Sequence, residues 1–215
     1  MADTEVRFVL RVFIASPSDL VPEREAAHEV VEWVNRAIGR HSRVSIDLLG
    51  WEDTLPGIGR PQALINKDVE VCDVFLGLLW RRWGSATGEY SSGFEEEFEL
   101  AKARNQASGS PDIWLYFKEI SSDSLDDPGE QLRRVLQFRR KVASERLALF
   151  SQFSSEQDWT ELLRDHLTQY VLGRGEPAPL GAEREASTSA QIRPETPVGD
   201  EHPAPETPPE SDSAD

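Results

Sequence analysis

Residues 73–80 read Asp-Val-Phe-Leu-Gly-Leu-Leu-Trp, an almost unbroken apolar run. A strand with one wet face alternates polar and apolar side chains. A strand apolar at every position suits the middle of a parallel sheet, where both faces are covered. Such a sheet needs helices on both sides, and the chain supplies the pattern. Val9–Ala15, Val44–Leu49, Asp112–Phe117 and Leu147–Phe150 are the other apolar segments rich in β-formers. Between them lie segments with helical spacing. Ala26, Ala27, Val30, Val31, Val34, Ala37 and Ile38 form one stripe, with Gly39 as a natural stop. Pro61 opens a short helix carrying Leu64 and Ile65, and Phe94, Phe98, Ala101 and Asn105 mark a third. Leu132, Val135, Leu136, Arg139 and Val142 mark a fourth, and a closing helix from Trp159 to Tyr170 ends near Gly173. This alternation predicts an α/β fold: a five-stranded parallel sheet of flavodoxin-like type, strand order 2-1-3-4-5. Ligands of such sheets bind beyond the carboxyl ends of the strands, where the order reverses. The forecast site therefore lies between Ser16–Pro22, after strand 1, and Arg81–Ser92, after strand 3.

The folding pattern stops well before the 215-residue chain does. Gly175–Asp215 holds 8 of the 14 prolines, no aromatic residue, and ten acidic against two basic side chains. Such a segment buries too little apolar surface to offset chain entropy. The reading is a domain over residues 6–173 and a disordered acidic, proline-rich tail over 174–215; from Gly175 on, it carries half of the net charge of −16. A negative body disfavours nucleic-acid phosphates as partners. The chain contains no apolar run long enough to span a bilayer, and the acidic opening Met1–Glu5 is unlike a secretion signal, so no membrane partner and a cytoplasmic location are expected. Cys72 is the single cysteine, and His28, His41, His166 and His202 are dispersed, so no metal site is expected.

Candidate chemistry gathers at the two forecast loops. Ser16, Ser18 and Asp19 precede a helix and suit either a phosphate or ribose contact or plain N-capping. The loop 50–60, with Trp51 and two close glycines, reads as a mobile flap, not a dinucleotide fingerprint, because strand-turn-helix context is missing. After strand 3, a small-residue loop leads into a helix whose first turns hold Glu95, Glu96, Glu97 and Glu99. Acids there complement the helix dipole. Their spacing separates them: Glu95 and Glu99 share a polar face with Lys102, Glu96 is intermediate, and Glu97 falls on the apolar stripe. A carboxylate on that stripe, at the mouth of a cleft, is costly unless it has a task. The cluster also predicts a negative rim, which Arg24, Arg81 or Arg82 would have to offset for an anionic ligand.

Several of these stretches together resemble a known family. They are Phe13-Ile-Ala-Ser-Pro-Ser-Asp19 with Glu23-Arg-Glu25, Cys72–Trp80, Arg82-Trp-Gly-Ser-Ala-Thr-Gly88, and Ser92-Gly-Phe-Glu-Glu-Glu-Phe98. They are similar to a TIR-like domain family, long called a domain of unknown function, that often precedes NACHT-type NTPases. The likeness covers Val6 to Asn105 by motif and the remainder by topology. It implies kinship with TIR domains and nucleoside deoxyribosyltransferases, whose helix after strand 3 carries a catalytic glutamate. That residue lies five after a serine in the TIR enzymes and three after a threonine in the transferases. Counting from Ser92, or from Phe94 in the threonine position, both give Glu97. Phe94 is a departure that narrows the cleft.

The resemblance implies an NAD+ glycohydrolase, a nucleotide N-glycosidase with NAD+ as substrate and no separate cofactor. In that reading Glu97 is catalytic, Trp80, Trp83 or Tyr90 flanks the nicotinamide, Ser16 or Ser18 meets ribose or phosphate, and Asp19, Arg24 and Ser92 complete the binding set. It also implies self-association or an NTPase-type signalling partner, as in bacterial antiviral defence. Two alternatives stand beside it: a non-catalytic TIR-like interaction module and a deoxyribosyltransferase-like enzyme.

Overall fold

In the computed structural model, residues 7–50 and 61–175 are described. The order is β1 Phe8–Ala15, α1 Val21–Ala37, α2 Gly39–Ser42, β2 Val44–Leu49, α3 Pro61–Val71, β3 Val74–Leu79, α4 Gly93–Ser108, β4 Asp112–Lys118, α5 Ser122–Asp126, α6 Glu130–Ser144, β5 Phe150–Phe153 and α7 Glu156–Gly175. The five strands form one sheet in the order β2-β1-β3-β4-β5, with every pairing parallel. The expected α/β architecture and strand order are therefore present. The tail beyond Gly175 and the loop around Trp51 lie outside the described residues.

β3 is the centre of the packing. All six of its residues are buried, as the apolar run required. Val74, Leu76 and Leu78 face a cluster with Leu10, Val12 and Ile14 of β1, the apolar stripe of α1, and Trp159, Leu163 and Leu167 of α7. Phe75 and Leu79 face the opposite cluster, with Phe94, Phe98 and Ala101 of α4 and Val135, Phe138 and Val142 of α6. Gly77 sits between them on the second face. A Cβ there would stand 2.7 Å from Leu115 Cδ2 and 3.2 Å from the Phe94 ring, so the missing side chain is what lets α4 approach the sheet.

Two local expectations change. The fifth strand is Phe150–Phe153, not Leu147–Phe150. Arg146 takes a left-handed conformation (φ 50°) and the Leu147 N–H donates to the Val142 carbonyl at 3.1 Å. The chain thus still turns off α6 where the apolar pattern begins, and Leu149 is left 95% exposed. Pairing starts at Leu115 with Phe150, and the less apolar Phe-Ser-Gln-Phe suits an edge strand with one wet side. Gly39 also does not act as a helix stop. α1 ends at Ala37 and Gly39 opens α2, where a Cβ would meet the Val44 carbonyl oxygen at 2.8 Å. The glycine is required by close approach to β2.

Glu23 ties the layers together at the carboxyl edge of the sheet. Its side chain is buried and ion-paired with Lys118 at the end of β4, while its backbone carbonyl accepts from Trp159 Nε1 at 2.8 Å. Lys118 also lies 4.6 Å from the Trp80 ring centroid. Removing the cation strands a buried charge, which costs more than the pair contributes. Lys118→Met should therefore lower unfolding stability by about 3 kcal/mol, with Glu23→Leu/Lys118→Met recovering most of it; urea denaturation of the three proteins checks this.

Candidate active site

The loops after β1 and β3 are held together by polar side chains whose partners are backbone groups. Asp19 Oδ2 accepts from the backbone N–H of Arg81 and of Arg82, each at 2.9 Å, which staples the second loop to the first. Arg24, buried on α1, donates from Nη1 to Ser16 Oγ and to the Pro17 carbonyl, both at 3.0 Å. On the far side, Gln131 of α6 accepts from the N–H of Trp83 at 2.8 Å and of Gly84 at 3.0 Å. Loop backbone at a strand end lacks ladder partners, and these three side chains supply them.

Between the loops is a cleft of about 510 Å³. Ser16, Pro17 and Ser18 form one wall, Arg82, Trp83 and Thr87 another, and Phe94 and Glu97 of α4 with Gln62 and Ile65 of α3 line the rest. The cleft opens where β1 and β3 end, the position forecast from topology. Phe94 lines it, with its ring centroid 5.6 Å from that of Trp83 and 5.5 Å from that of Phe138.

Glu97 is 8% exposed. Its Oε1 accepts from Gln62 Nε2 at 2.7 Å. Burial pushes the carboxyl up to about 7; the Gln62 hydrogen bond opposes this and the neighbouring Glu96 charge adds to it. Glu96 is also buried, but its two oxygens accept from Asn66 Nδ2 at 2.8 Å and Thr87 Oγ1 at 2.7 Å. Gln62 Nε2 also reaches Asn66 Oδ1, at 3.3 Å.

Of the side chains anticipated from sequence, Ser16, Ser18, Trp83 and Glu97 come together in the cleft. Asp19 and Arg24 shape its walls through the contacts above. Ser92 is an N-cap, its Oγ accepting from the Glu95 N–H at 3.0 Å. Trp80 points elsewhere: its indole lies between Arg81 and Lys118 and donates to the Glu119 carbonyl at 3.0 Å. Tyr90 is exposed on a small bridge with Thr87 and is not among the lining residues. The anticipated acidic rim also does not form at this cleft. Glu95 bonds Ser91 and borders a separate groove with Glu99, Arg134 and Lys141, and Glu96 is turned inward. Arg82 and Glu97 are the charged residues that line the cleft among the described residues.

Sequence reasoning missed Gln62, Asn66, Thr87 and the inward turn of Glu96. The one available signal was the four-residue spacing of Gln62 and Asn66, which stacks two amides on one helical face.

The chain belongs to the family described as Domain of unknown function (DUF4062), whose model matches residues 11–168. No curated protein sequence matches it. Among solved structures, the chain is similar to translation elongation factor SelB from Methanococcus maripaludis, in complex with the GTP analogue GppNHp. That likeness has 15% identity and a TM-score of 0.44, and covers 80% of this chain but 36% of the elongation factor. It is also similar to general stress protein 14 from Treponema denticola, in complex with FMN, at 13% identity and a TM-score of 0.36, covering 78% of this chain and 99% of that one.

The raised Glu97 carboxyl makes a stability prediction that needs no ligand. In the unfolded chain it ionises near its ordinary 4.5, in the folded protein near 7. Below the first value both states are protonated and nothing is lost. Between the two, stability falls as pH rises, and above about 7 the loss is complete. Glu97→Gln keeps an acceptor for Gln62 without the charge. It should raise unfolding stability by about 2–3 kcal/mol at alkaline pH, with the gain vanishing toward acid, as read by Tm across the pH range.

Proposed function

We propose that this protein is a TIR-like N-glycosidase that hydrolyses NAD+ or a closely related nucleotide, with Glu97 as its catalytic carboxylate. The observation that carries this reading is a buried carboxylate lining a cleft at the sheet's switch point, where among the described residues one amide donor holds it and no cation pairs with it. A carboxylate kept in that setting costs stability, and a catalytic task explains its presence.

The chemistry is simple enough for one such group. The nicotinamide of NAD+ is already cationic, so it departs as a neutral base without protonation. The bond broken is C1′–N of the ribose, and its electron pair leaves with the nicotinamide. Ionised Glu97 stabilises the oxocarbenium-like sugar electrostatically or as a nucleophile. Water then forms the new C1′–O bond and releases a proton, giving ADP-ribose. Ser16 and Ser18 offer hydroxyls to ribose or phosphate, Arg82 offers a cation to a phosphate, and Trp83 presents an aromatic wall. Asp19 and Arg24 serve by holding the loops that carry them.

A second reading, a TIR-like interaction module, has an observation of its own. Leu149 borders a groove of about 650 Å³ at the β4–β5 edge, lined by Trp114, Tyr116, Phe150, His166 and Tyr170. An exposed leucine beside an aromatic groove is the kind of surface that partners cover. Within it the Tyr116 hydroxyl and His166 Nδ1 share a hydrogen bond of 2.7 Å.

Nicotinamide release from NAD+, followed at several protein concentrations including crowded ones, separates these readings. Hydrolysis that drops at least about 1,000-fold in Glu97→Gln is the expected result. No release at any concentration, or equal release by the variant, overturns the catalytic reading and favours the module; transfer of ribose between bases would assign the transferase class instead. Because the active form is ionised, kcat/KM should rise with pH through a midpoint near 7. The midpoint of kcat should lie lower, since the cationic ring of bound NAD+ favours the charged carboxylate.

A further inference from the structure

We propose that Gln62 is the positioning residue of this site, and that a hydrogen-bond relay from Thr87 through Glu96 and Asn66 dictates which end of its amide meets Glu97. The inference rests on the reading of Glu97 as the catalytic carboxylate, and it concerns residues on three separate elements.

The relay has a direction that follows from donor and acceptor chemistry. An ionised carboxylate accepts only, so Glu96 takes Thr87 Oγ1 on one oxygen and Asn66 Nδ2 on the other. With its NH2 end committed to Glu96, Asn66 turns Oδ1 toward α3's preceding turn. That oxygen accepts from Gln62 Nε2. Gln62 is thereby oriented with its NH2 group inward, and its remaining hydrogen is donated to Glu97 Oε1 at 2.7 Å. The other end of the amide is confined by the start of α4: a Cβ on Gly93 would lie 2.7 Å from Gln62 Oε1, so the glycine makes room for it. Each link is buried or half-buried, where an amide turned the wrong way would leave two acceptors facing each other.

The consequence is chemical. A donor aimed at Glu97 favours its charged form and fixes one oxygen, leaving the other to face substrate. Among the described residues, the groups around Glu97 on each packed element are few. α4 contributes Glu96, α3 contributes neutral Gln62 and Ile65, the loop after β1 contributes Ser16, Pro17 and Ser18, and the loop after β3 contributes Arg82. Gln62 is the one group hydrogen-bonded to the carboxylate among the described residues. Two adjacent acids on one helix thus have different duties: Glu96 orients, and Glu97 reacts.

The test follows ionisation directly and needs no turnover. Full-length protein labelled with 13C-glutamate is titrated, and the Glu97 side-chain carboxyl is assigned by its loss in Glu97→Gln. Gln62→Met should move the Glu97 midpoint upward by about one pH unit, a tenfold weakening of the acid. Asn66→Leu, which leaves Gln62 in place but frees its amide to rotate, should move the midpoint in the same direction by less, and Thr87→Val likewise. Circular dichroism confirms that each variant is folded; Asn66 and Thr87, being only half-buried, keep the question open to measurement if Gln62→Met does not fold. An unchanged midpoint in Gln62→Met overturns the positioning role. A shift there with none in Asn66→Leu or Thr87→Val overturns the relay. If the shifts occur and no NAD+ is hydrolysed, the relay stands and the N-glycosidase reading falls; if hydrolysis occurs, the midpoint of kcat/KM should move with the titration.

Discussion

Sealing β3 on both faces is the constraint on which the remaining structure depends. Its alternate residues drive into two separate clusters, one closed by α1 and α7 and the other by α4 and α6. The second closure is tight because Gly77 leaves space for the Phe94 ring. Phe94, Phe98 and Ala101 then anchor the first turns of α4 against the sheet. Glu97 stands three residues after Phe94 and next to Phe98, so hydrophobic packing of its neighbours carries the carboxylate into the cleft. The placement of a charge is a by-product of where the aromatics must go.

That placement is expensive, and the protein treats its two buried α4 acids differently. Glu96 receives a hydroxyl and an amide donor, a setting that suits a carboxylate in low dielectric. Glu97 receives one donor among the described residues and faces the cleft, and burial lifts it to about 7. Identical side chains in successive positions therefore meet different surroundings, the usual means by which one fold assigns different roles to like groups. Under the proposed reading, the energetic penalty on Glu97 in the empty protein is relieved when a cationic ring arrives.

The walls of the cleft illustrate a related division of labour. Asp19, Arg24 and Gln131 have the polarity of ligand-binding residues, yet their hydrogen bonds go to loop backbone and to Ser16. Loops at strand ends carry N–H groups that the sheet cannot satisfy, and satisfying them fixes loop shape. The smaller groups that remain, Ser16 and Ser18 opposite Arg82 and Trp83, are presented by this framework. A change at Asp19 or Arg24 acts on the cleft through geometry.

Much of this was legible in the amino-acid order. An unbroken apolar run, four further strand-like segments and the helical stripes between them determine a parallel α/β sheet, because each pattern has one way to bury its apolar side. The sheet order locates the cleft, and periodicity along α4 separates Glu97 from Glu95 and Glu99. Tertiary structure alone decided the rest. Leu147–Phe150 met the apolar criterion, but the turn off α6 had not yet finished there, so the edge strand began three residues later. Gln62 and Asn66 lie 35 and 30 residues before the glutamates they bond, Thr87 precedes Glu96 by nine, and no local pattern marks them as partners of those acids. Burial of apolar groups is written in residue type and spacing; the direction of a hydrogen bond between distant polar side chains exists only once the chain has brought them within reach.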